Sequence, residues 1–219
     1  KRPVIITGLM DEWPALERWQ RKTFKSLYGQ RPAQVSSGVD IVYGGGGQSS
    51  TLGLGDYLDK MAEQHVFRAQ GGEDTNWAFD AFNFDTQFLR KMPGIRQDYL
   101  MPAYFHGFNG KSSMQSGASW HLMSLGASRT GLPFHVHGET WLAMVHGQGK
   151  RWFIYPPGRA VPAEVIKKAR FHSLQGVWDW FTTVYPLLAS PPGTPAAERA
   201  ERDGGLLECV QQAGEVLYL

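Results

Sequence analysis

Residues 133–157 constrain the fold more than any other part of the chain, and they read PFHVHGETWLAMVHGQGKRWFIYPP. Within them, His135, His137 and Glu139 stand at alternate positions. Alternate residues of a β-strand point to the same face. We therefore expect these three side chains, each of a type that binds metals, to converge on one side of a strand.

The second half of this stretch has the pattern of two strands joined by a turn. The apolar run at residues 141–145 is followed by Gly147 and Gly149, and glycine readily adopts the positive φ that a tight hairpin requires. Residues 150–155 are aromatic and β-branched enough to form a strand, which two prolines then end because proline has no amide hydrogen for a β-ladder. The sequence thus predicts a metal-facing hairpin with Lys150 at its turn.

Length and composition favour one domain with many turns. Of the 219 residues, 42% are apolar and 19% charged, and the 26 glycines and 13 prolines favour an all-β or α+β fold over a helical bundle. A formal net charge of +2 is too small to indicate nucleic-acid binding, and no apolar run has the roughly 18 residues needed for a membrane span. The single cysteine, Cys209, excludes an internal disulfide and a cysteine-rich zinc module.

The remaining segments alternate between strand and helix patterns. Asp11 and Thr23 are each expected to cap a short helix, the second of which ends at Gly29. Apolar residues from Leu52 to Met61 predict an amphipathic helix. Further strands are expected within residues 3–7, 35–43, 120–125 and 206–219, and the type of residues 77–89 is left open.

The central stretch resembles the JmjC domain, the cupin-like fold of Fe(II)- and 2-oxoglutarate-dependent oxygenases. The shared features are His-x-(acid or His), a gap of about ten residues, Gly-Lys, and an aromatic strand that closes in Pro-Pro. Residues 2–9 with Trp13-Pro14 resemble the opening strand and helix of the family, and residues 208–219 resemble the strand that leads to its second metal histidine. The resemblance therefore covers most of the chain.

This resemblance implies a mainly β fold with flanking helices (α+β). The expected architecture is a double-stranded β-helix of the jelly-roll, cupin-like type. It implies one domain over residues 1–219 that is truncated at its C-terminal end.

The resemblance also implies a site for Fe(II). Such oxygenases bind the metal through two histidines and one carboxylate, leaving three positions for 2-oxoglutarate and dioxygen. His135 stands at the first histidine position, but His137 stands where the carboxylate usually is. Either His137 is a ligand in a three-histidine site, or Glu139 provides the carboxylate from the same face. The second histidine of the family is expected beyond Leu219, outside this chain.

Lys150 is the residue that the resemblance assigns to the cofactor. In the family, the lysine after this turn commonly pairs with the distal carboxylate of 2-oxoglutarate, a role that suits a compact point charge. The alternative is a solvated turn lysine. The threonine that often precedes the first histidine by three residues is here Leu132, and we do not assign its role to Thr130. His146, beside the turn, is expected to be exposed.

Two functions from different classes fit these features. One is an oxygenase that hydroxylates a protein side chain, with no residue assigned as catalytic outside the metal and cofactor sites. The other is a catalytically silent JmjC fold that serves as a protein-interaction module. Both imply a protein substrate or binding partner. The endoplasmic reticulum lumen is suggested as compartment by resemblance alone, with the cytoplasm as the alternative, and the residues specify neither a substrate nor an oligomeric state.

Overall fold

Antiparallel β-sheets with short helices form the part of the chain that the structure describes. The computed structural model describes residues 2–37, 50–69, 81–85, 88–102, 122–128, 130–132, 134–136, 138, 140–158, 181, 185–188 and 205–219. Within these residues the prediction of a mainly β fold with flanking helices (α+β), and not a helical bundle, is confirmed.

The described strands form three sheets. In chain order they are β1 (Val4–Ile6), β2 (Pro32–Ser37), β3 (Ser50–Gly53), β4 (Ala81–Asp85), β5 (Met123–Gly126), β6 (Trp141–Ala143), β7 (Lys150–Ile154), β8 (Leu207–Gln211) and β9 (Val216–Tyr218). The first sheet has the order β1-β9-β6, the second β3-β2-β4-β5, and the third consists of β7 and β8. All neighbouring pairs are antiparallel.

The helices are mostly short. They are α1 (Ala15–Arg18), α2 (Arg21–Tyr28), α3 (Leu54–Ala69), α4 (Phe88–Lys91), a 3-10 helix (Pro93–Gln97) and α5 (Tyr185–Leu188). The amphipathic pattern after Leu52 does form α3, although Leu52 itself lies in β3. No helix among the described residues combines the length and the apolar character that a membrane span needs.

The two predicted helix caps are wrong, although the end of α2 is confirmed. Pro14, not Asp11, is the N-cap of α1, because the chain around Asp11 forms a turn closed by the Trp13 amide, which donates to the Met10 carbonyl at 2.9 Å. In α2 the N-cap is Gln20, so Thr23 already lies inside the helix. This helix ends at Tyr28, directly before Gly29, as predicted.

The predicted hairpin between β6 and β7 is also wrong in its pairing. Gly147 and Gly149 have the expected positive φ, 133° and 128°, so the chain does turn between the two strands. However, β6 pairs with β9 and β7 pairs with β8. Beyond the end of β6, the Met144 amide donates to the Glu215 carbonyl at 3.0 Å and its carbonyl accepts from the Gly214 amide at 2.8 Å. The backbone of β6 is therefore hydrogen-bonded to β9, and the turn connects β6 to a strand of another sheet.

The main core lies between the N-terminal helices and the first two sheets. Its completely buried members include Met10, Ile95 and Val216, which come from the turn before α1, the 3-10 helix and β9. Trp141 of β6 packs edge to face on Trp13, with ring centroids 6.4 Å apart. The strand that follows the histidine segment is therefore anchored in the main core.

Candidate functional site

The backbone around His135 is irregular. Residues 134–136 are not part of a strand, and β6 begins only at Trp141. Residues 134–136 therefore lack the strand geometry that would point alternate side chains to one metal-binding face. The His135 side chain is exposed. His137 and Glu139 lie outside the described residues, so their convergence with His135 stays a prediction.

Contacts on both sides position this histidine segment. Phe134 packs edge to face on Tyr155 just after β7, with ring centroids 5.9 Å apart. Burial raises the pKa of the Tyr155 hydroxyl. At the other side, Thr140 and Leu219 exchange backbone hydrogen bonds of 3.2 and 2.9 Å, which extend the β6–β9 ladder. His135 thus lies between the end of β7 and the start of β6. Among the residues that the structure describes, no three histidine, cysteine or acidic side chains come together as a metal-binding group.

Lys150 is half-buried at the start of β7. Its Nζ lies 4.2 Å from the ring centroid of Trp152, a cation–π contact. Burial lowers the pKa of Lys150 to about 8. Within the described part of the chain, no acidic side chain forms an ion pair with it. A partly desolvated ammonium without an acidic partner is suited to bind an anion.

Gln211 is a polar residue of this site that sequence reasoning missed. It is only 1% exposed, and it stands directly opposite Lys150 in the β7–β8 register. Its Oε1 accepts a 2.9 Å hydrogen bond from the indole N–H of Trp152. Its Nε2 donates to the carbonyls of Leu142 and Glu215, at 2.8 Å each. One signal was available in the sequence: the alternation of β8 places this amide on the same face as two apolar residues.

A second polar cluster covers the opposite face of β7 and β8. Arg151 forms an ion pair with Glu208, and its Nη2 donates to the Tyr185 hydroxyl at 2.9 Å. That hydroxyl donates to Glu208 at 2.8 Å, which together with burial raises the pKa of Tyr185. The guanidinium also lies 5.0–5.4 Å from the ring centroids of Phe153, Phe181 and Tyr185. Arg151, Glu208 and Tyr185 thus use their hydrogen-bonding groups on one another. The cluster therefore stabilises the two-stranded sheet and is not a candidate ligand-binding site.

Three further residues of types that often act in functional sites show no geometry that suits such a role. The Thr130 hydroxyl donates to the Ala127 carbonyl at 2.7 Å and so closes a local turn. His146 is exposed beside the turn, as predicted. Cys209 is half-buried, and burial raises the pKa of its thiol, which makes it a poor nucleophile.

Comparison with known proteins gives matches over nearly the whole chain. JmjC domain-containing protein 8 of Rattus norvegicus is 28% identical over 222 residues, which cover 99% of this chain and 66% of that protein. The bifunctional arginine demethylase and lysyl-hydroxylase psr-1 of Caenorhabditis elegans is 26% identical over 229 residues, 99% of this chain and 50% of that protein. Lysine-specific demethylase JMJ21 of Arabidopsis thaliana is 26% identical over 233 residues, all of this chain and 21% of that protein.

These matches agree with the resemblance inferred from the central stretch. No protein-family model matches the chain. The chain spans two thirds or less of the length of these three relatives. The similarity extends from the first strand to the last, so it does not depend on the histidine segment alone. The chain is a relative of the JmjC-domain proteins.

Proposed function

We propose that this chain carries the 2-oxoglutarate-binding part of an Fe(II)-dependent oxygenase that acts on a protein side chain. The observation that carries the proposal is the ammonium of Lys150, half-buried on the Trp152 ring, for which the described residues provide no acidic partner. The names of two relatives, an arginine demethylase and lysyl-hydroxylase and a lysine-specific demethylase, support a protein side chain as the substrate.

The strand connections support a double-stranded β-helix of the cupin type as the architecture of the domain. Gly147 and Gly149 turn the chain from the β6 sheet into the β7 sheet. Gly214, with a φ of 87°, turns it back from β8 to β9. Two successive turns that each cross between the same two sheets are the pattern expected of such a fold. We infer a single domain over residues 1–219.

The residues of the chain have separate roles in this proposal. Lys150 pairs with the distal carboxylate of 2-oxoglutarate, and the indole of Trp152 shields the ion pair from water on one side. His135 binds Fe(II), together with His137 or Glu139. When bound, Fe(II) and 2-oxoglutarate supply the oxidation of a carbon–hydrogen bond of the substrate.

Lys150→Met in the full-length protein is expected to weaken 2-oxoglutarate binding by about 30-fold or more, because a partly desolvated ion pair loses its cation. The variant should unfold with a free energy unchanged or higher by about 1 kcal/mol, since methionine has no charge to desolvate. Anaerobic calorimetric titration and thermal unfolding measure the two quantities. Lys60→Met, on the exposed face of α3, is the matched control and should leave binding unchanged. Equal affinity for 2-oxoglutarate in the Lys150 and Lys60 variants would refute the pairing of Lys150 with its distal carboxylate.

The same interaction predicts a pH dependence. Because burial lowers the pKa of Lys150 to about 8, the amine is charged below pH 8 and neutral above it. The affinity for 2-oxoglutarate should therefore fall about tenfold between pH 7 and pH 9, whereas a lysine of ordinary pKa would keep it constant. Binding by Lys150→Met should not change over this range. Between pH 8 and the ordinary lysine pKa of 10.5, Lys150 is protonated in the unfolded chain but largely neutral in the folded one. The free energy of unfolding should therefore rise with pH across this window.

The silent interaction module is the second candidate. It is favoured by one specific feature, His137 at the position where related oxygenases have the carboxylate. The two candidates differ in whether the full-length protein binds Fe(II) and 2-oxoglutarate at all, and direct binding measurements therefore separate them.

A further inference from the structure

We propose that Gln211 is a positioning residue for the anion site: it fixes the indole of Trp152, and that indole holds the ammonium of Lys150 in place. The inference rests on the proposed function for the identity of the anion. The chain of contacts itself runs entirely through described residues.

The hydrogen bonds of Gln211 determine the orientation of its amide group. The indole N–H of Trp152 is only a donor, so the amide oxygen must face it. The carbonyls of Leu142 and Glu215 are only acceptors, so the amide nitrogen must face them. Each N–H of the amide is thereby used, and the buried group has one satisfied arrangement. A side chain without both functions would leave buried polar groups unpaired.

The indole transmits this orientation to the lysine. Lys150 and Trp152 are two residues apart on β7 and therefore share one face of the strand. The indole N–H edge is held by Gln211, while the ring face receives the ammonium at 4.2 Å. A cation–π contact requires the ring face. If the indole rotated away from Gln211, Lys150 would lose the surface on which its ammonium lies.

Gln211 also connects the lysine to the strand that follows the histidine segment. Trp152, whose indole donates to the Gln211 amide oxygen, belongs to the β7–β8 sheet. Leu142, whose carbonyl accepts from the Gln211 amide nitrogen, lies in β6, seven residues after His135. Glu215 lies directly before β9, the neighbour of β6. One buried amide therefore joins the two sheets, and it fixes where Lys150 stands relative to the β6 side of the site.

The test compares Gln211→Met with Gln212→Met in the full-length protein. Methionine is close to glutamine in size but makes none of these hydrogen bonds, and Gln212 is the exposed neighbour, which makes it the matched control. In Gln211→Met the pKa of Lys150, followed by NMR after reductive methylation with labelled formaldehyde, should move from about 8 toward the ordinary lysine value of 10.5. The KM for 2-oxoglutarate should rise about tenfold with little change in kcat. Gln212→Met should change neither quantity.

Trp152→Phe provides a second route if Gln211→Met does not fold. Phenylalanine keeps an aromatic ring at this position but lacks the N–H that bonds Gln211, so the ring is no longer held against Lys150. Lys150 should then be less desolvated, and its pKa should again rise. An unchanged Lys150 titration in the folded variants would overturn the positioning role, even if wild-type protein binds 2-oxoglutarate. A shifted titration in a protein that never binds 2-oxoglutarate would support the positioning role and refute the proposed function instead.

Discussion

His135→Ala in the full-length protein is expected to abolish Fe(II) binding and the turnover of 2-oxoglutarate in the absence of substrate, while the fold is retained. The histidine would be one of few strong ligands of an open metal site, so its loss removes most of the affinity. Its side chain is exposed, and substitutions of exposed residues usually change the free energy of unfolding by less than about 0.5 kcal/mol. Calorimetric titration with Fe(II) under anaerobic conditions and thermal unfolding without metal test both parts.

His146→Ala is the matched control for this experiment. His146 is also an exposed histidine, but it lies beside the turn between β6 and β7, and its loss should leave iron binding unchanged. His137→Ala and Glu139→Gln, titrated in parallel, identify the second ligand as the one whose loss also removes binding. If the wild-type protein itself binds no Fe(II), with or without 2-oxoglutarate, the oxygenase proposal falls and the interaction module is the function that stands.

Asp98→Ala is expected to destabilise the protein by about 3 kcal/mol, because it removes a buried carboxylate and leaves the groups that donate to it without their acceptor. Asp98 follows the 3-10 helix and is 2% exposed. Its carboxylate accepts from the Trp19 indole at 2.9 Å and pairs with Arg18 at 2.7 Å. Its carbonyl accepts from the Ala15 amide at 2.8 Å, at the start of α1. Chemical denaturation of wild type and variant measures the difference.

Asp59→Ala is the control that separates burial from the number of partners. Asp59 of α3 likewise has two side-chain partners, here both basic: Arg21 at 2.7 Å and Lys25 at 2.5 Å. The hydrogen bond from Lys25 lowers the pKa of Asp59. All three groups are exposed to solvent, where water replaces a lost ion pair at little cost. The Asp59 substitution should therefore change the stability far less than the Asp98 substitution. Similar losses would show that burial does not account for the role of Asp98.

The sequence alone determined the local features of this protein. The positive φ of Gly147 and Gly149 follows from the turn pattern, because no other residue adopts that backbone conformation as readily. The end of α2 before Gly29 and the extent of β7 follow from propensities that act over a few residues. The JmjC relationship was visible for the same reason, since its motif lies within one continuous stretch.

Only the tertiary structure decided which strands pair and which polar residues are buried. β6 and β7 are neighbours in sequence, yet each pairs with a strand more than fifty residues away. Local pattern carries no information about such partners, because the competing pairings satisfy the same backbone groups. Asp98 and Gln211 look like ordinary surface residues until distant chain segments supply Arg18, Trp19, Trp152 and the Leu142 carbonyl. Their importance arises from desolvation by those segments, which is a property of the packed molecule and of no short stretch within it.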